Sequence, residues 1–142
     1  MKIFYSGSIS RSKKLIPISR DIVNHIESLN HEVITKKLVD PDYAQQLDLN
    51  KKYNGKEVYQ WAEDKLKEAE ILVTECTVPS FGAAFWIDKC LEMGKALLSL
   101  HYGLDYKNAP LMLQGCRERI NLQMYTEENY KYVLEQFFEE LT

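Results

Sequence analysis

Short apolar runs and helical stripes alternate along the 142-residue chain. The runs at 2–6, 33–38, 71–75, 96–100 and 120–124 read as strands, each bounded by turn-forming or charged residues. Between them, apolar residues recur at helical spacing. Ile18, Ile22, Val23, Ile26 and Leu29 form one stripe behind Pro17, which suits a first helical turn, and that helix should end near Asn30. Val58, Trp61, Ala62, Leu66 and Ala69 form a second, with Glu63, Asp64, Lys65, Lys67 and Glu68 mainly opposite. A third helix is expected over 82–93. Thr126 is a reasonable N-cap for a last one, in which Tyr130, Val133, Leu134, Phe137, Phe138 and Leu141 keep the period. Residues 40–55 and 102–117 show no sustained period, apart from one short helix around Leu111.

Strands alternating with helices in this way imply right-handed crossovers and a parallel sheet covered on both faces. In such sheets, ligands sit beyond the carboxyl ends of strands, where helix N-termini offer free N–H groups to anions. The stretch 71–100 shows the arrangement most clearly: a strand, the turn Pro79-Ser80-Phe81-Gly82, a helix, a Gly94-Lys95 stop and another strand. Ser80 and Gly82 therefore stand where a ligand would bind. Gly7-Ser8 breaks the first strand in a similar turn, with a basic continuation from Arg11 to Lys14. The long segment 40–55 reads as a lid or binding loop.

The length fits one domain over 1–142, and 45% hydrophobic with 27% charged residues is ordinary for a globular chain. A net charge of −3 gives no field for a polyphosphate backbone, so no DNA or RNA polymer is expected as partner. A single nucleotide needs only a local anion site. No long apolar amino-terminal region or membrane-length run occurs, so no membrane association and a cytoplasmic location are expected. Cys76, Cys90 and Cys116 are odd in number and lack C-x-x-C spacing, which argues against disulfides and zinc. Cys76 and Cys90 read as buried reduced thiols. His25 and His31 flank a helix end, while His101 follows the fourth strand toward the site. No metal or other cofactor is expected.

Gly7-Ser8-Ile9, Glu75, Pro79-Ser80-Phe81-Gly82 and Gly94-Lys95, in this order, resemble the nucleoside 2-deoxyribosyltransferase superfamily, most closely its 2'-deoxynucleoside 5'-phosphate N-hydrolase branch. The resemblance covers nearly the whole chain. It implies a flavodoxin-like (Rossmann-like) three-layer α/β sandwich with a five-stranded parallel sheet of order 2-1-3-4-5. The two glycine-serine turns would then meet at the switch point between strands one and three. It also implies a site from which acids are missing. Trp86 stands where the family places its nucleophilic glutamate, and Ala62 where other members carry an aspartate, eight residues before Glu70. Asp88 lies about 200° around the helix from Trp86 and should point away. Glu75 is the remaining catalytic candidate, although active relatives carry an acid there beside the nucleophile. The family's glycine pair after the first turn is replaced by Arg11 and Ser12, and a serine lent by a second subunit is matched by Pro110.

The expected function is thus a catalytically degenerate relative that binds a nucleotide-like small molecule, or serves as a subunit of a homodimer or hetero-oligomer. Its ligand-binding residues would be Gly7, Ser8, Ile9, Arg11, Ser80, Gly82 and Trp86. Trp86 has two readings, an indole that fills former substrate space and a platform that stacks a base or ribose. Two other functions remain open: an active N-glycosidase or deoxyribosyltransferase using an unrecognised acid, and a structural interaction domain with a closed pocket.

Overall fold

Strands β1 (Lys2–Gly7), β2 (Glu32–Val33), β3 (Ile71–Glu75), β4 (Ala96–Tyr102) and β5 (Leu122–Tyr125) form one sheet. Every neighbouring pair is parallel, and the order is β2-β1-β3-β4-β5. These positions come from a computed structural model that describes residues 1–7, 13–40, 42–43 and 54–142. The helices are α1 (Ile16–Ser28), α2 (Gly55–Glu68), α3 (Phe81–Glu92), α4 (Leu111–Gly115) and α5 (Tyr130–Glu140). Among the described residues, no helix is long and apolar enough to cross a membrane.

Side-chain alternation along the strands builds two cores. Ile3, Tyr5, Ile71, Val73, Leu98 and Leu100 face α1 and α5, which contribute Ile22, Ile26, Leu134 and Phe137. Phe4, Leu72 and Leu97 face α2 and α3, which contribute Ala62, Leu66, Ile87 and Cys90. This is the expected flavodoxin-like three-layer sandwich. The sheet order reverses between β1 and β3, whose carboxyl ends are in register with Gly7 opposite Glu75.

Several element boundaries differ from the sequence expectation, for local reasons. The second strand was expected over 33–38 but stops at Val33, because the Thr35 hydroxyl takes over the ladder. It accepts from the Tyr5 N–H and donates to the Tyr5 carbonyl, both at 2.8 Å, and a 3-10 turn follows at Lys36–Val39. β5 starts at Leu122 rather than at 120, since Asn121 has φ 47° and the Ile120 N–H bonds back to Cys116 in a turn. β4 runs on through His101 to Tyr102. Thr126 caps the turn before α5, accepting from Glu128 N–H at 3.3 Å, and Asn129 occupies the N-cap position itself.

The Gly94-Lys95 step has a structural role. Gly94 takes φ 66° after α3, and the Lys95 N–H bonds back to the Cys90 carbonyl at 3.1 Å, a left-handed helix stop. The Lys95 ammonium then crosses to the end of α2 and donates to the carbonyls of Leu66 (2.7 Å), Lys67 (2.8 Å) and Ala69. A cation at a helix C-terminus satisfies orphan carbonyls and complements the dipole. Lys95→Met is expected to cost about 2 kcal/mol, read as a lower urea midpoint.

Candidate functional site

At the carboxyl end of β1, against α2 and α3, lies a cavity of about 540 Å³. Ser6 and Gly7 line it from β1, Asn54 and Gly55 from the start of α2, and Ser80 and Gly82 from the start of α3. Two helix N-termini thus open on one space. Each is capped from within: Asn54 Oδ1 accepts from the Glu57 N–H at 2.9 Å, and Ser80 Oγ from the Ala83 N–H at 3.3 Å. The remaining amides of those first turns have no intrahelical acceptor and suit an anion. A Cβ on Gly82 would meet only Ser80 Oγ, at an ordinary 3.7 Å, so packing within the chain does not demand glycine there. Gly7 is different, because a Cβ would come within 3.3 Å of the Glu75 Cβ where β1 and β3 approach.

The rest of the wall is apolar and largely aromatic. Ala62 is buried on α2, facing the same cavity as Trp86 on α3. The half-buried Trp86 indole touches three rings: Phe4 at 6.0 Å between centroids, Tyr59 at 5.7 Å and Phe85 at 5.0 Å. Trp61 lines the cavity too, with Lys37 Nζ 3.7 Å from its ring centroid, where burial and the neighbouring Lys65 lower the amine's pKa. No charged side chain lines this cavity among the described residues.

Of the sequence-predicted site residues, Gly7, Ser80, Gly82, Trp86 and Ala62 therefore line one cavity. Ser8, Ile9 and Arg11 lie outside the described residues. Asp88 is exposed and is not a lining residue. Glu75 is not among the described lining residues either. Alternation along β3 puts it on the face of Ile71 and Val73, toward Tyr5 and Tyr125, whereas Trp86 packs on the opposite face with Phe4 and Leu72.

Glu75 is only 2% exposed. One of its oxygens accepts from the Thr77 N–H at 3.0 Å and from the Thr77 hydroxyl, which in turn accepts from the Tyr102 N–H at 2.8 Å. Burial raises the carboxyl pKa above its ordinary value, and the Thr77 hydrogen bonds offset part of that rise. The folded protein consequently keeps this proton at pH values where the unfolded chain has lost it. The group's contribution to stability then falls as pH rises from the ordinary glutamate pKa through the raised one. Glu75→Gln should remove that fall: the variant gains on wild type as pH increases through the window, while below it the two coincide. Urea melts of both proteins from about pH 4 to pH 8 check the difference.

His101 lies inside β4 and is buried, with Nδ1 3.1 Å from the Tyr102 carbonyl oxygen, and burial lowers its pKa. It does not line the cavity, contrary to the expectation from its place after a shorter strand. Cys76 and Cys90 are buried thiols pushed up to about 12 and about 11 by desolvation, far from thiolate chemistry at neutral pH. Pro110 opens α4 and lines a second cavity of about 350 Å³, together with Cys76, Ser80, Phe81, Ala83 and Met112. Sequence reasoning missed Asn54 and Tyr59 as lining residues. Asn54 carried a usable signal, an N-cap with Glu57 three residues on.

No family model matches the chain. It is 26% identical over 146 residues to the 5-hydroxymethyl-dUMP N-hydrolase of Danio rerio, covering 100% of this chain and 99% of that protein. It is 24% identical over 144 residues to the protein of the same name from Esox lucius, covering 100% and 99%. A protein of Methanococcoides burtonii named "Putative 2'-deoxynucleoside 5'-phosphate N-hydrolase 1" is 24% identical over 115 residues, covering 81% of this chain and 90% of the other. In its fold, its motifs and these alignments, the chain is similar to proteins named as 2'-deoxynucleoside 5'-phosphate N-hydrolases and 5-hydroxymethyl-dUMP N-hydrolases.

Proposed function

We propose that this protein binds a nucleoside 5'-monophosphate and does not cleave its N-glycosidic bond. One observation carries the reading: a cavity of about 540 Å³ joins two helix N-termini to an aromatic wall, with Ala62 and Trp86 where the family resemblance calls for acids. Its size suits a small ligand, and its volume argues against a pocket closed by the indole. The phosphate is assigned to the first turn of α3, at Ser80 and Gly82, and the base to the aromatic wall. The names of the relatives specify hydrolysis of deoxynucleoside monophosphates. This chain keeps the binding half of that activity.

Titration calorimetry with the four 2'-deoxynucleoside 5'-monophosphates and the matching nucleosides tests the reading. Nucleotides should bind and nucleosides should bind more weakly. Equal affinity would remove the phosphate site, and no binding by either would leave an interaction module.

Such a module has an observation of its own. Phe81, Leu111 and Met112 are 91%, 83% and 83% exposed; Phe81 and Met112 line the second cavity, and Leu111 precedes Met112 on α4. Apolar side chains so exposed and so close together fit a protein interface. Assembly as a dimer or hetero-oligomer through α3 and α4 belongs to the same proposal.

A further inference from the structure

Tyr59 and Trp86 come from different helices and meet nearly face to face, with centroids 5.7 Å apart and planes 28° from parallel. Phe85 braces both edge-on, at 5.8 Å from Tyr59 and 5.0 Å from Trp86. Phe4, fully buried in the sheet, supports the indole from below. Trp86 is therefore fixed from the core side. Tyr59 is the outer ring, 41% exposed, and its hydroxyl donates only along its own helix to Glu63, at 3.4 Å. The hydroxyl makes no demand on the cavity, and the ring face is turned to Trp86.

We propose that Tyr59 and Trp86 are the two jaws of a base clamp, between which the nucleobase inserts. This rests on the nucleotide-binding reading above and specifies its recognition chemistry: a planar, uncharged heteroaromatic ring rather than a sugar. Stacked layers lie about 3.4 Å apart, so two rings holding a base stand about 7 Å from each other. The two rings now stand closer than that, with centroids 5.7 Å apart, so the exposed Tyr59 side chain rotates outward to admit a base. The absence of charged lining side chains among the described residues matches a neutral base. An indole that only filled space would need no second ring held over it on the solvent side.

The test compares wild type, Tyr59→Phe and Tyr59→Ala against the four 2'-deoxynucleoside 5'-monophosphates and against 2-deoxyribose 5-phosphate, which has no base. Near-ultraviolet circular dichroism verifies that each variant is folded. Tyr59→Phe keeps the ring and should bind nucleotides within about twofold of wild type. Tyr59→Ala should weaken every nucleotide about 5- to 150-fold, the span of one lost stacking partner, and leave the base-free phosphate unchanged. Nucleotide affinity that is untouched in Tyr59→Ala would overturn the clamp and leave the nucleotide-binding reading standing. An equal loss for deoxyribose phosphate would also overturn it, since Tyr59 would then shape the cavity without gripping a base. A wild type that binds none of the nucleotides would sink both.

Discussion

Phe4→Ala is expected to cost about 3–5 kcal/mol and to lower the melting temperature by roughly 6–20 °C. Phe4 is completely buried on β1, where it packs with Leu72, Ala62, Leu66 and Ile87 and lies beneath the Trp86 indole. Truncation removes the ring's transfer free energy and leaves a void that strands fixed on both sides cannot close. The same change takes the floor from the ligand cavity, so nucleotide affinity should fall with stability. Phe4→Leu, which keeps most of the volume, should cost less than about 1.5 kcal/mol. Thermal and urea denaturation check both. A loss under about 1 kcal/mol for Phe4→Ala would mean that Trp86 sinks into the vacated space, and the indole would then be a core residue and no platform.

How far the sequence discloses this molecule depends on which force shaped each part. β1, β3 and β4 are legible because burial on both faces leaves near-continuous apolar runs, and Gly94 is legible because only a left-handed stop asks for glycine at that place. β2 is not, since a single hydroxyl, that of Thr35, replaces a ladder that the apolar run 33–38 would otherwise continue. The start of β5 hides in the positive φ of Asn121, which asparagine tolerates without advertising it. At the site, Ser80 and Gly82 are legible from turn chemistry. Trp86 and Ala62 stand out only beside the family pattern. Tyr59 is illegible alone, because an exposed tyrosine on an amphipathic helix looks like surface until a ring from another helix is found 5.7 Å away.

Wild-type protein should release no free base from deoxynucleoside monophosphates. Cleavage of an N-glycosidic bond builds positive charge at C1', and a carboxylate below that carbon can trap it covalently. The described lining of the cavity holds Trp86 and Ala62 and no acid. Losing a central nucleophilic or electrostatic group commonly costs about 10²-fold or far more in rate. Glu75 does not offer a replacement in this account. Its side chain packs on the other face of the sheet, and burial favours its neutral form over the carboxylate that would attack.

The most direct measurement is chromatographic detection of free base from a panel of deoxynucleoside 5'-monophosphates, with wild type, Glu75→Gln and the double variant Trp86→Glu/Ala62→Asp assayed side by side. The account predicts no release by wild type or by Glu75→Gln, and release by the double variant alone would show a cavity intact apart from its acids. Wild-type turnover at about 1 s⁻¹ or faster, abolished by Glu75→Gln, would contradict it and make Glu75 the nucleophile.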